Sequence, residues 1–193
     1  MDTAQEKTVK NFWIGTIKPA FLSAIPGSDI PATLDIQAGG IDGYGGPGIL
    51  CIYSGIVDTN DRVFIAYALA HETGHCAVPT ICKAIGIPAP QTVNQTDFRK
   101  HEVLADLTGM WVLFQCCPGL YSQVISHRNT IAMTLGAADF QHPSGQKRMQ
   151  IIDDLDKQLR PNGLKRIFTK RKSSHSYMVG MLESILNGQV DLN

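Results

Sequence analysis

Two histidines, His71 and His75, stand four residues apart, with Glu72 directly after the first of them. In an α-helix this spacing places the two imidazoles about 6 Å apart along the axis, so both rings can reach one Zn²⁺ ion at roughly 2.0 to 2.1 Å. Glu72 lies about 100° further round the helix, where it is a poor third ligand but can hold a metal-bound water. This H-E-x-x-H pattern is typical of a zinc hydrolase with glutamate as general base.

The residues around this motif predict a helix that is buried in the middle of the protein. Residues 64–70 form a continuous apolar run, which suits a helix with little solvent-facing surface. The predicted helix covers residues 61–77 and begins after a turn at residues 58–61. An alternative, in which the histidines are ordinary polar side chains of such a helix, fits the flanking residues less well.

A second carboxylate pair provides the third ligand that a catalytic zinc site needs. Glu102 and Asp106 lie four residues apart on a predicted helix over residues 97–115, so they share one face. Glu102 can therefore reach the metal, while Asp106 accepts a hydrogen bond from a ligand imidazole. His101 is a competing ligand, although it points to a different side of the helix, and a surface role for either carboxylate stays open.

Four elements, in this order, resemble the gluzincin peptidases of the HtpX and CAAX-prenyl-endopeptidase type. The elements are the glycine segment and strand at 46–55, the helix leading into 71–75, the Glu102 to Asp106 element, and H-P-S-G-Q-K-R at 142–148. Together they extend over about half of the chain, from residue 46 to residue 148.

This resemblance implies a zinc endopeptidase that acts on protein or peptide substrates. The implied site consists of His71, His75 and Glu102 as metal ligands and Glu72 as base. The resemblance also implies that His142 and Arg148 lie near the substrate or the developing oxyanion. A histidine at a helix start and an ion-paired arginine would fit the same two positions.

Two other functions remain open at this point. A regulatory protease of the ImmA/IrrE type also has a soluble H-E-x-x-H domain and a downstream glutamate, but the 142–148 element favours the first family. Outside the enzymes, the alternative is a scaffold protein whose zinc is held by a closed or inactive site.

Composition sets the expectations for partners and location. Lys plus Arg equals Asp plus Glu at 17 each, so no overall field attracts nucleic acid or an anionic membrane. We find no signal peptide and no apolar stretch of about 20 residues that could span a membrane. Five cysteines without a regular framework indicate reduced thiols, hence a cytoplasmic protein, with nonclassical secretion as the alternative. The basic stretch at 165–172 is interpreted as a solvated surface rather than a contact site.

The predicted fold is α+β, a mainly helical zincin-like domain over residues 1–193 with a small β-sheet. A strand over residues 49–56 is expected at the sheet edge beside the active helix, where it could pair with an extended substrate. The segment Gly43–Gly48 spells a dinucleotide fingerprint but precedes a strand instead of a helix, so we reject nucleotide binding. Further helices are predicted over residues 3–17, 119–135, 144–159 and 175–187, with a connection from Pro79 to Pro90.

Overall fold

A computed structural model describes residues 2–90, 94–160 and 171–192, the last range with side chains from residue 179 onward. The described helices are α1 (Ala4–Phe12), a π-helical turn (Trp13–Ile17), α2 (Lys18–Ala24), α3 (Ser54–Asp58), α4 (Arg62–Ala84), α5 (Gln95–Cys116), α6 (Pro118–Leu135), α7 (Gly145–Leu159) and α8 (Arg171–Leu186). The strands are β1 (Asp35–Gln37), β2 (Gly43–Gly46) and β3 (Ile49–Tyr53). The expected α+β class, mainly helical with a small sheet, is confirmed. The basic side chains of residues 165–172 lie outside this description.

The helix α4 runs through the middle of the hydrophobic core. Asp61 caps its start by accepting hydrogen bonds from the backbone amides of Val63 and Phe64, at 2.9 and 3.1 Å. Every residue from Phe64 to Val78 is buried. The prediction of a central buried helix is therefore confirmed, and the H-E-x-x-H motif lies at its midpoint.

The predicted end of α4 near residue 77 is wrong. The helix continues through Pro79 to Ala84, although an interior proline removes one backbone hydrogen bond and costs about 3 kcal/mol. Ile81 and Cys82, in the turn after the proline, are buried in the core. Burial of these two side chains offsets the missing hydrogen bond, so the helix does not stop.

The N-terminal helix also passes its predicted end at residue 17. A π-helical turn at residues 13–17 joins α1 to α2, and Pro19 falls in the first turn of α2, where a missing N–H is tolerated. Trp13 in that turn is fully buried and donates its indole N–H to the Thr73 hydroxyl at 3.0 Å. This contact fixes the N-terminal segment against α4 within the H-E-x-x-H motif.

The sheet places β3 in the centre, so the prediction of an edge strand at residues 49–56 is wrong. β3 pairs with β1 in parallel and with β2 in antiparallel orientation, and the strand gives way to α3 at Ser54. Both edges of β3 are thus occupied by backbone hydrogen bonds. The strand that lies beside α4 with an outer edge is β2, which is joined to β3 by a turn at Pro47 and Gly48.

Close helix packing brings the two halves of the site together. A Cβ atom on Gly74 of α4 would collide with the carbonyl oxygen of Ala105 on α5. Conversely, a Cβ atom on Gly109 of α5 would lie 2.6 Å from the carbonyl oxygen of Ala70 on α4. Glycine at both positions lets the two backbones approach, which brings Glu102 within reach of the histidines.

We expect Gly74→Ala to lower the free energy of unfolding of the metal-free protein by about 1–3 kcal/mol, because the added methyl group overpacks the crossing of α4 and α5. The matched control is Gly119→Ala in α6, where a Cβ atom would meet nothing within 4 Å. In the control, alanine's better helix propensity leaves stability unchanged or slightly higher. Denaturant titration measures the free energy of unfolding of both variants. Equal stability of the two would contradict the packing argument.

None of the helices in the described part of the chain combines the length and apolar character needed to cross a bilayer.

Candidate metal centre

The side chains of His71, His75 and Glu102 converge on one point between α4 and α5. The Nε2 atoms of the two histidines are 3.1 Å apart. The Glu102 carboxylate lies 3.2 Å from both, with Oε2 facing His71 and Oε1 facing His75. Tetrahedral ligands at roughly 2.0 to 2.1 Å from a zinc ion would be about 3.3 Å from one another. The three residues therefore form a group that could hold a metal ion.

Burial and charge in this group also fit a cation. His71 and His75 are buried, and the Glu102 side chain is only 13% exposed. Burial alone would raise the pKa of Glu102, but the imidazoles of His75 and His71 hold that pKa well below its usual range. Glu102 Oε2 has no hydrogen-bond partner among the described residues. An ionised, buried carboxylate that faces two imidazoles but receives no well-aligned hydrogen bond at Oε2 is an arrangement that a bound cation would satisfy.

His71 is oriented by a buried network on its other nitrogen. Asp106 Oδ1 lies 2.9 Å from His71 Nδ1 and accepts a hydrogen bond from the Tyr67 hydroxyl at 2.7 Å. Arg148 donates to both oxygens of Asp106, from Nε at 2.7 Å and from Nη2 at 2.9 Å. A carboxylate held in this way fixes the ring of His71 with Nε2 directed at the metal position.

The charges of this network also shape the titration of His71. Burial and the guanidinium of Arg148 lower the pKa of His71, but Asp106 and Glu102 raise it to about 10 in the metal-free protein. Binding of a cation to Nε2 would then release a proton, as metal binding to histidine generally does.

Glu72 lies on the same helix turn and remains available for chemistry. It is only 6% exposed, and its Oε1 atom is 3.9 Å from His71 Nε2. Its Oε2 atom has no hydrogen-bond partner among the described residues. Burial raises the pKa of Glu72, although the nearby His71 and His75 act against this. A carboxylate with a raised pKa and a free oxygen beside the metal position can accept a proton from water.

The strand β2 covers Glu72 with glycine residues. A Cβ atom on Gly43 would lie 2.8 Å from Glu72 Oε1, and one on Gly45 would collide with the carbonyl oxygen of Glu72. Glycine is thus required where the strand lies directly on α4.

The structure also brings the two residues of the late element to this site. His142 Nε2 is 3.7 Å from Glu102 Oε2, and its Nδ1 is 2.9 Å from Asp139 Oδ2. The Arg148 guanidinium is buried, and its Nη1 atom lies 3.9 Å from Glu102 Oε2. All seven sequence-predicted residues therefore lie within one cluster around the candidate ligands.

His101, the competing ligand of the sequence analysis, takes a different place. Its Nδ1 atom lies 3.0 Å from Nδ1 of His75, on the side of that ring away from Nε2. Burial and the neighbouring His75 lower the pKa of His101 to about 4, so its ring is neutral near pH 7. The residue contacts a candidate ligand instead of joining the ligand group.

Two partners in the site were missed by the sequence reasoning. Tyr67 lies four residues before His71 on the same helix face, a spacing that could have identified it. Asp139 lies three residues before His142, and its Oδ1 atom also accepts the backbone amide of His142 at 2.7 Å. Aspartate often accepts the backbone amide of a residue two or three positions later in a loop, so the sequence could have identified Asp139 as a partner of His142.

A cavity of about 150 Å³ opens beside the metal position. His71, Glu72, His142 and Arg148 contribute polar groups to its wall. Its apolar lining includes Ile41, Phe64 and Leu135. The candidate site can therefore be reached by another molecule.

We expect Glu102→Ala to lose most of its affinity for zinc, because one of three ligands disappears and the two histidines alone leave the site incomplete. The matched control is Glu183→Ala, which removes an exposed glutamate from α8. Metal analysis after dialysis against a weak chelator compares the two proteins. Retention of stoichiometric zinc by Glu102→Ala would overturn its assignment as the third ligand.

Comparison of the chain with models of known protein families, with curated proteins and with solved structures finds no match in any of the three.

Proposed function

We propose that the protein is a zinc-dependent endopeptidase. The observation that carries this proposal is the buried group of His71, His75 and Glu102, with Glu72 beside it presenting an unpartnered carboxylate oxygen. A purely structural metal site has no use for such a carboxylate, whereas hydrolysis needs a base close to the metal.

The donor set supports zinc as the cation. Two imidazole nitrogens and one carboxylate oxygen are a common ligand combination of catalytic zinc, and they leave the fourth position to water or substrate. A zinc ion, when bound, supplies the Lewis acidity that makes water nucleophilic near pH 7 and polarises a peptide carbonyl.

The side chains around the ligands would have separate roles in the reaction. Glu72 would take a proton from the attacking water and return it to the leaving amine. His142 and the Arg148 guanidinium lie beside Glu102, where they would stabilise negative charge that develops on the carbonyl oxygen. Asp106 would hold His71 and Arg148 in place throughout.

The neighbouring surface supports a polypeptide substrate. The outer edge of β2 runs next to the turn of α4 that carries Glu72, so an extended peptide could add to this edge by backbone hydrogen bonds. The cavity beside Glu72 has room for about one side chain, since a cavity of this size accommodates a benzene ring. The glycines of β2 would let the substrate backbone lie close to the base.

A cytoplasmic location forms part of the proposal. Cys51, Cys76 and Cys82 are buried and carry free thiols. Unpaired thiols are the rule in the reducing cytoplasm.

The test is cleavage of an unfolded protein by the purified, zinc-loaded chain. We expect fragments to form, a chelator to stop the reaction, and added zinc to restore it. A scaffold with a closed site would bind zinc through four protein ligands and leave the substrate intact. Zinc binding without any cleavage over a broad set of unfolded proteins and peptides would refute the endopeptidase proposal.

A further inference from the structure

His101 lies directly before Glu102 on α5 and faces the second candidate ligand, His75. The Nδ1 atoms of His101 and His75 are 3.0 Å apart. The two rings are stacked, with centroids 4.7 Å apart and 26° between their planes. Among the described residues, this is the polar contact that His75 makes on the side away from the candidate ligands.

The contacts of His75 decide which atom donates this hydrogen bond. Its Nε2 atom faces Glu102 Oε1 at 3.2 Å and His71 Nε2 at 3.1 Å, so Nε2 is the nitrogen available to a metal. A neutral imidazole that binds a metal through one nitrogen carries its hydrogen on the other. Nδ1 of His75 is then the donor, and Nδ1 of His101 is the acceptor.

The helix α5 therefore supplies a hydrogen-bond partner to each of the two imidazoles as well as the third candidate ligand, Glu102. Asp106 holds His71 through a carboxylate, and His101 holds His75 through an imidazole. We propose that His101 is a positioning residue for the metal site, which fixes the tautomer and ring orientation of His75 without binding the metal. This inference rests on the metal site of the proposed function but not on proteolysis.

The first test is the zinc affinity of His101→Phe, measured by competition with a chromophoric chelator. Phenylalanine keeps an aromatic ring against His75 but removes the acceptor nitrogen. We expect zinc to bind 10- to 100-fold more weakly, as when the outer partner of a ligand histidine is lost. His127→Phe, at an exposed histidine of α6, is the matched control and should bind zinc as the wild type does.

A second variant at residue 101 separates a positioning role of this side chain from a packing role. Asparagine carries a carbonyl oxygen close to the place of the histidine Nδ1 atom, so His101→Asn should recover most of the lost affinity although it has no ring. Wild-type affinity in His101→Phe would overturn the proposal, and so would an asparagine variant that binds zinc no better than the phenylalanine variant.

A third measurement needs no variant. In the zinc-loaded wild type, nitrogen NMR of the histidine rings should show His101 with its hydrogen on Nε2 and an unprotonated Nδ1. A hydrogen on Nδ1 of His101, metal coordination by His101, or failure of the wild type to bind zinc would each overturn the inference. Zinc binding without peptide cleavage would instead refute the endopeptidase proposal and leave the role of His101 to be decided by the affinities.

Discussion

We expect Glu72→Gln to lose nearly all turnover while zinc stays bound. The glutamine amide has nearly the shape of the carboxylate but cannot accept the proton from water, so we expect kcat to fall by about 10²- to 10⁴-fold. Glu72 does not belong to the candidate ligand group, and its carboxylate is 3.9 Å from His71 Nε2. Zinc content should therefore remain stoichiometric, which distinguishes this variant from Glu102→Ala.

The matched control is Glu183→Gln, the same change at an exposed position of α8. Peptide cleavage and zinc content are measured on the wild type, Glu72→Gln and Glu183→Gln from parallel preparations. If Glu72→Gln cleaves at the wild-type rate with a full complement of zinc, Glu72 is not the base. If it loses zinc together with activity, Glu72 contributes to metal binding and the division of roles proposed above is wrong.

The local part of this site could be predicted because helix geometry fixes it. A separation of four residues puts His71 above His75 in any α-helix, and the same holds for Glu102 and Asp106. Helix geometry does not predict that the pair on α4 and the pair on α5 contact each other. This contact depends on glycines at the crossing of α4 and α5, and a single sequence does not say which helix a glycine faces.

The sheet was predicted less well, again for physical reasons. The β-branched and aromatic residues of β3 suit a central strand as well as an edge strand, so composition did not identify its neighbours. β2 contains three glycines in four residues, which weakens any strand signal. Gly43 and Gly45 are explained by the nearness of Glu72, which becomes visible only in three dimensions.

Contacts between side chains far apart in the sequence were the least predictable. His101 was recognised as a residue near the site, but its contact with His75 depends on the exact rotation of α5 against α4. The buried pair of Asp106 and Arg148 joins residues 42 positions apart. Spacing suggested Asp106 as a partner of a ligand imidazole but gave no sign that Arg148 and Tyr67 share the same carboxylate.

That shared carboxylate makes Asp106→Asn the most destabilising polar change we expect. Asp106 is 2% exposed, and its replacement removes the carboxylate that pairs directly with the buried guanidinium of Arg148 at 2.7 Å. The Glu102 carboxylate, 3.9 Å from Arg148 Nη1, is then the nearest remaining counter-charge. Removal of one partner of a buried ion pair costs about 3–5 kcal/mol. We therefore expect the free energy of unfolding of the metal-free variant at pH 7 to fall by that amount, measured by denaturant titration with a chelator present.

The pH dependence of the stability difference between wild type and Asp106→Asn tests whether the charge of Asp106 is responsible. Burial would raise the pKa of Asp106, but Arg148 and His71 hold it well below the usual value of about 3.9. The carboxylate therefore stabilises the folded state fully above about pH 4, and this contribution is lost as the pH falls toward the folded pKa. The stability gap between wild type and variant should narrow from pH 5 to pH 3, a range below the titration of an unfolded histidine. Asp154→Asn, at an exposed partner of Lys157, is the control and should show no such gap. A gap that stays constant or widens in acid would show that Asp106 contributes through hydrogen bonds that an amide does not reproduce and not through its charge.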